Sequence, residues 1–218
     1  MFRAQPQQSR VAGKRLIFGC GTGRCGTMSL HTLLSRQDDV EITAQAPWTF
    51  QSWPVDPPEL GQAVLGLLQR QATFVGDVAP WWLGSARLLV EMYAAKIIVM
   101  MAQSDQVVDG HLKLRFDHWS YYPPESNPPC VSWVRSLPKF GGPEAPDRKA
   151  NAEAAWGYYA KAASLLEQEY PANVSIVQME ALNNEQWQED ILRWLGFPHP
   201  CTGRIDHKYP WKPRSERP

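Results

Sequence analysis

Two hydrophobic rhythms alternate along the chain. Short apolar runs at residues 16–18, 40–44, 73–78, 96–101 and 173–179 have the length and branched aliphatic content of buried strands. Between them apolar residues recur every three or four positions, the spacing of a helix with one face packed inward. Leu30, Leu33 and Leu34 mark the first such stretch, and Leu60, Val64, Leu67 and Leu68 mark a second at 59–70. A third covers 85–93, with Ser85 as its expected cap, and a long one covers 150–170 with Ala154, Ala155, Tyr158, Ala162, Leu165 and Leu166. The last runs over 184–195 and closes at Gly196. Strands alternating with helices predict an α/β fold: a parallel sheet of about five strands, flanked by helices and joined by right-handed crossovers.

Length and composition sharpen this picture. A chain of 218 residues suits one domain with a core of ordinary size, so 1–218 is read as a single unit. Residues 1–14 are expected to be a flexible N-terminus and 199–218 a C-terminal tail. Twenty-two basic residues balance 22 acidic ones, so no global field argues for nucleic acid or a membrane surface. Cys20, Cys25, Cys130 and Cys201 have neither metal-ligand spacing nor a disulfide framework. A reducing compartment fits them, and the expected location is cytoplasmic. The polar first 14 residues lack the apolar segment of a secretory signal. No run approaches the roughly 20 apolar residues of a membrane span. Residues 113–148 break the rhythm: Trp119, Tyr121, Tyr122 and Trp133 stand there among prolines and the Gly141-Gly142 pair. An irregular region of that length reads either as a lid over an acceptor or as a packed surface excursion.

The densest chemistry lies in Gly21-Thr22-Gly23-Arg24-Cys25-Gly26-Thr27-Met28-Ser29, between the first strand and the first helix. A glycine-rich turn opening a helix, here at Thr27 or Ser29, brings several backbone N–H groups to one point. The positive end of the helix dipole lies at the same place, which makes an anion site with phosphate as its usual occupant. Gly21, Gly23 and Gly26 are expected to let the backbone approach a ligand and to take positive φ. Arg24 puts a fixed cation inside the turn. The glycine spacing matches the nucleotide loop G-x-x-x-x-G-K-(S/T), but Thr27 occupies the lysine position.

This loop resembles the one that holds the 5′-phosphosulfate in sulfotransferases using 3′-phosphoadenylyl sulfate (PAPS). Their pattern is Gly-x-(Lys/Arg)-(Ser/Cys/Thr)-Gly-Thr-x-(Ser/Trp)-Leu, of the P-loop type. A second stretch is similar as well: Met179-Glu180-Ala181-Leu182, then Leu195-Gly196-Phe197-Pro198 after a helical spacing. The resemblance covers about 15–112 and 150–198. It implies a fold of that family, sulfuryl transfer to a hydroxyl or amine of a small-molecule or peptidic acceptor, and adenosine 3′,5′-bisphosphate as product. It also implies that no metal is needed, because a migrating sulfuryl group carries less charge than a phosphoryl group. Residues 96–112 are similar to the family's strand and helix that read the cofactor's 3′-phosphate. Where the family places an arginine and a serine, this chain has Ala102 and Gly110, with Gln103, Ser104 and His111 nearby. The tail carries Lys208, Lys212, Arg214 and Arg217, and the resemblance implies that Lys208 could reach the nucleotide phosphates.

In a parallel sheet ligands gather beyond the carboxyl ends of the strands. That rule selects the loop, Ala44–Gln45, Asp77 and 102–105. Arg24 and the amides of 23–28 are expected to stabilise charge on the leaving oxygen. Asp77 is the first choice for the base that takes the acceptor's proton, with Glu41, His111 and His118 as weaker candidates. Two other functions stand beside this one. A nucleotide phosphotransferase would use Asp77 at a magnesium-binding strand end. A non-catalytic protein would keep the fold and bind an anion or a partner.

Overall fold

One parallel sheet carries the chain, and the computed structural model describes residues 13–45, 55–113 and 147–205. Its strands are β1 (Arg15–Gly21), β2 (Val40–Ala44), β3 (Phe74–Val78), β4 (Lys96–Met101) and β5 (Val174–Gln178), in the spatial order β2-β3-β1-β4-β5. Each neighbouring pair runs parallel, with Ile17 opposite Gly76 on one side of β1 and Gly21 opposite Met100 on the other. The helices are α1 (Thr27–Leu34), α2 (Pro57–Leu68), α3 (Trp82–Tyr93), α4 (Ser104–Leu112), α5 (Arg148–Glu169) and α6 (Glu185–Leu195). A 3-10 turn, Met179–Asn183, joins β5 to α6.

Side chains alternate across a strand, and here both faces are covered, as parallel sheets require. Leu16, Phe18, Cys20, Val75, Ile97 and Val99 pack toward residues of α2, α3 and α5, including Trp82 and Tyr159. Ile17, Phe74, Val78, Ile98 and Met100 pack toward α1, α6 and Val107 of α4. The sheet leaves little room where β3 meets β1. A Cβ at Gly76 would lie 1.7 Å from the carbonyl oxygen of Ile17.

The far end of the sheet is tied down by cations and amides. Arg15 donates to the Gly196 carbonyl at 2.7 Å and lies over the Phe74 ring. Lys96 donates to the Ala172 carbonyl and sits 4.3 Å from the centre of the Trp194 ring. Gln37 accepts from the Cys201 amide at 2.8 Å, and Gln188 accepts from the Gly203 amide at 2.9 Å. These bonds dock the first residues of the expected tail, and Ile205 is buried. Residues 206–218 lie outside the described residues.

Several expected boundaries move. The third helix begins at Trp82, and Ser85 lies buried in its second turn, where its hydroxyl accepts from the Val55 amide at 3.2 Å rather than capping the helix. The helix expected at 150–170 starts two residues earlier, capped by Asp147, which accepts from the amides of Lys149 and Ala150. Of the stretch read as a lid or an excursion, 114–146 lie outside the described residues. Among the described residues no helix is long and apolar enough to cross a membrane.

Candidate functional site

β1 ends at Gly21 and α1 begins at Thr27, so the bend between them spans only five residues. Its shape is carried by three left-handed positions: Gly23 at φ 77°, Arg24 at φ 58° and Gly26 at φ 89°. Gly21 departs from expectation, because its φ is not positive. It is needed for close approach instead, since a Cβ there would lie 2.4 Å from the Cys25 sulfur and 2.7 Å from the Met100 carbonyl oxygen. Gly26 is the N-cap of α1, and no side chain caps the helix. The first-turn amides, those of Thr27, Met28 and Ser29, have no acceptor within the helix, and the dipole adds positive character where they point.

The bend is lined on its inner side by Thr22 and Cys25, both buried, with the Thr22 hydroxyl donating to the Gly23 carbonyl at 3.1 Å. Burial pushes the Cys25 thiol up to about 11, against the pull of the Thr22 side chain and the amides of Gly23, Thr22 and Cys25. At neutral pH this sulfur is a protonated filler, not a nucleophile. Cys20 beneath it is raised further by the same cause. Arg24 is the outward member. It is exposed, and its stem lies over Gly110 of α4, where a Cβ would meet Arg24 Cβ at 2.9 Å and Nε at 3.2 Å. Among the described residues its guanidinium makes no hydrogen bond or ion pair. A non-glycine residue held left-handed stores about 1–3 kcal/mol of strain, and here that strain aims a cation beside an uncapped helix start.

Sheet order places a crevice at the same point. β1 sends the chain through α1 toward β2, while its neighbour β4 sends it through α4 and α5 toward β5 on the opposite side. The connections diverge between β1 and β4, and ligands of open parallel sheets bind at such a divergence. Gly21 through Ser29 therefore share one edge with Ala102 and Gln103. Gln103 is exposed at the N-cap of α4 and its side chain makes no capping bond. Ala102 is buried in the apolar core, and its carbonyl accepts from the Trp156 indole at 3.0 Å. Gly110 is covered by the Arg24 stem. Lys208 and His118 lie outside the described residues.

Asp77 is fully buried. One carboxylate oxygen accepts from the Thr43 hydroxyl at 2.7 Å and the other from the Trp82 indole N–H at 2.8 Å. Service as a base would require one of these bonds to open. Glu41 accepts from the amides of Gln71 and Ala72 at the opposite end of its strand. His111, buried in α4, has Nε2 3.1 Å from the Thr22 carbonyl, and Arg148 donates to the His111 carbonyl at 2.9 Å. The sequence offered His111 as a weaker base and as a neighbour of the 3′-phosphate positions, and did not single out Arg148. Their contacts join positions far apart in the chain, and no local pattern announces them. Among the described residues no group of three or more His, Cys, Asp or Glu side chains could hold a metal ion.

No family model and no curated protein sequence matches this chain. Among solved structures it is similar to mouse sulfotransferase SULT7A1 complexed with PAP, at 15% identity and a TM-score of 0.49, over 85% of this chain. The alignment takes in 60% of that longer protein.

Proposed function

We propose that the chain transfers a sulfuryl group from PAPS to a hydroxyl or amine of a small-molecule or peptidic acceptor. The observation that carries this reading is the bend between β1 and α1. It combines two consecutive left-handed residues, an uncapped helix start and an exposed arginine without a partner among the described residues. Preorganised N–H donors and a fixed cation are what a developing oxyanion requires. The residues present fit the phosphosulfate end of the donor, which would rest against the amides of 23–28 with Arg24 beside it. They do not extend that fit to a 3′-phosphate, since buried Ala102 and covered Gly110 offer no donor side chain.

When bound, the donor supplies an electrophilic sulfur and a phosphate leaving group. The chain's part is to orient that group, to meet charge on its oxygens with Arg24, and to relieve the acceptor of a proton. Asp77 takes that last role in this reading by exchanging its bond to the Thr43 hydroxyl for one to the acceptor. A non-catalytic anion-binding protein is the second reading, favoured by the burial and double engagement of Asp77. A phosphotransferase stands third, with Thr27 where its lysine would be.

Calorimetry with adenosine 3′,5′-bisphosphate, beside ATP with and without magnesium, separates the three. The first reading expects metal-independent binding of the bisphosphate, weaker than micromolar for want of a 3′-phosphate cradle, and sulfuryl transfer from PAPS to some acceptor. Binding without transfer selects the second reading, and magnesium-dependent preference for ATP selects the third.

A further inference from the structure

We propose that Gly110 and His111, adjacent in α4, form the seat that holds the anion loop in its binding shape. They act as positioning residues for Arg24 rather than as groups that touch the ligand. The proposal rests on the anion-binding reading of that loop. Residues 22–26 are a run of bends, not hydrogen-bonded turns, and among the described residues 22–25 make no backbone–backbone hydrogen bond to one another or to the rest of the chain. With one non-glycine residue at φ 58° and only side-chain bonds inside it, from the Thr22 hydroxyl and around the Cys25 sulfur, the segment takes part of its shape from what it rests on. It rests on α4 at two points.

Beneath Thr22 and Gly23 lies the His111 ring, whose Nε2 is 3.1 Å from the Thr22 carbonyl. A carbonyl only accepts, so Nε2 carries the proton and donates. A Cβ on Gly23 would lie 3.6 Å from His111 Cε1, so the ring lies just one side-chain atom's reach from the bend there. Beneath Arg24 lies Gly110, where a Cβ would stand 2.9 Å from Arg24 Cβ and 3.1 Å from its Cγ. The missing side chain is the space in which the arginine stem lies. One residue of α4 fixes the backbone before Arg24, and the preceding residue fixes the direction the guanidinium leaves. Arg148, donating to the His111 carbonyl at 2.9 Å, braces the end of α4 from α5.

The test uses the full chain. Hydrogen exchange without ligand compares wild type, His111→Leu and His111→Gln; glutamine can donate an N–H from nearly the position of Nε2. Exchange of the Leu30 amide, which donates to the Gly26 carbonyl at the end of the bend, should accelerate about tenfold in His111→Leu, with β4 and α5 unchanged, and stay within about threefold in His111→Gln. No acceleration, or the same acceleration everywhere, overturns the proposal. Pyrophosphate binding supplies the second readout. Gly110→Ala should weaken it about tenfold in wild type but less than about twofold when Arg24 is already glycine, which has no Cβ to meet, and equal losses in both backgrounds overturn the seat. If His111→Leu does not fold, the Gly110→Ala cycle decides alone. If wild type binds neither pyrophosphate nor adenosine 3′,5′-bisphosphate, the proposed function fails, while exchange in the ligand-free variants still decides the seat.

Discussion

Arg24 is held in a conformation its side chain disfavours, with its stem over Gly110. Nothing in its bonding accounts for an arginine at that position. Strain maintained by the surrounding structure points to use rather than to stability. Arg24→Gly should therefore stabilise the fold by about 0.5–1 kcal/mol in urea unfolding, while adenosine 3′,5′-bisphosphate binding measured by calorimetry drops by more than about tenfold. A variant that keeps full affinity would remove the guanidinium from the site. Asp77 is the opposite case, buried and bonded on both oxygens. Asp77→Ala removes the carboxylate that accepts from the buried Trp82 indole N–H, while the Thr43 hydroxyl keeps its bond to the Gly76 carbonyl, so it should cost about 1–3 kcal/mol, read from the urea midpoint. A loss confined to transfer activity, with stability unchanged, would favour the catalytic role over the structural one.

At the scale of elements, two local contacts carry measurable weight. Asn184 caps α6 by accepting from the amides of Gln186 and Trp187, and Asn184→Ala should cost about 1 kcal/mol by chemical denaturation. The β3–β1 contact is less forgiving. Gly76→Ala drives a methyl into the Ile17 carbonyl, and β1 is the strand that delivers the anion loop. Overpacking in a well-packed core typically costs about 1–3 kcal/mol, and here the obstacle is backbone that cannot rotate away. The variant should lose at least that much stability, with pyrophosphate affinity falling as well because the loop's base moves. Sequence patterning located the five strands and all the helices but α4, which only the resemblance suggested, to within about three residues. The start of α3 is instructive, because the spacing placed it at Ser85, read as a cap. Only the packing of Trp82 against Phe18, with ring centres 4.8 Å apart, draws the helix start back to Trp82.

For the whole molecule, pH should reveal the closed lower end of the sheet. Burial, followed by repulsion from Arg15, pulls Lys96 down to about 8 from 10.5. Between those values the unfolded chain binds more protons than the folded one, so stability rises as pH rises from about 8 toward 10. Tyr170 works the other way. Its bond to Glu91 raises it from 10 to about 12, so stability held below pH 10 is lost as pH climbs through 12. Urea midpoints should pass through a maximum near pH 10, and Lys96→Met should flatten the rising limb.

The order of strands and helices, the two-faced burial of the sheet and the place of the glycine-rich bend were determined by the sequence by itself. Those features depend on periods of two and near four and on residues a few positions apart, which a linear pattern records. The tertiary structure alone decided the sheet order, the sealing of Asp77 between Thr43 and Trp82, and the resting of the loop on Gly110 and His111. Each of these joins residues from separate elements, and His111 lies 89 positions from Thr22. Such contacts arise because burial and hydrogen-bond satisfaction are settled once for the whole core, not segment by segment.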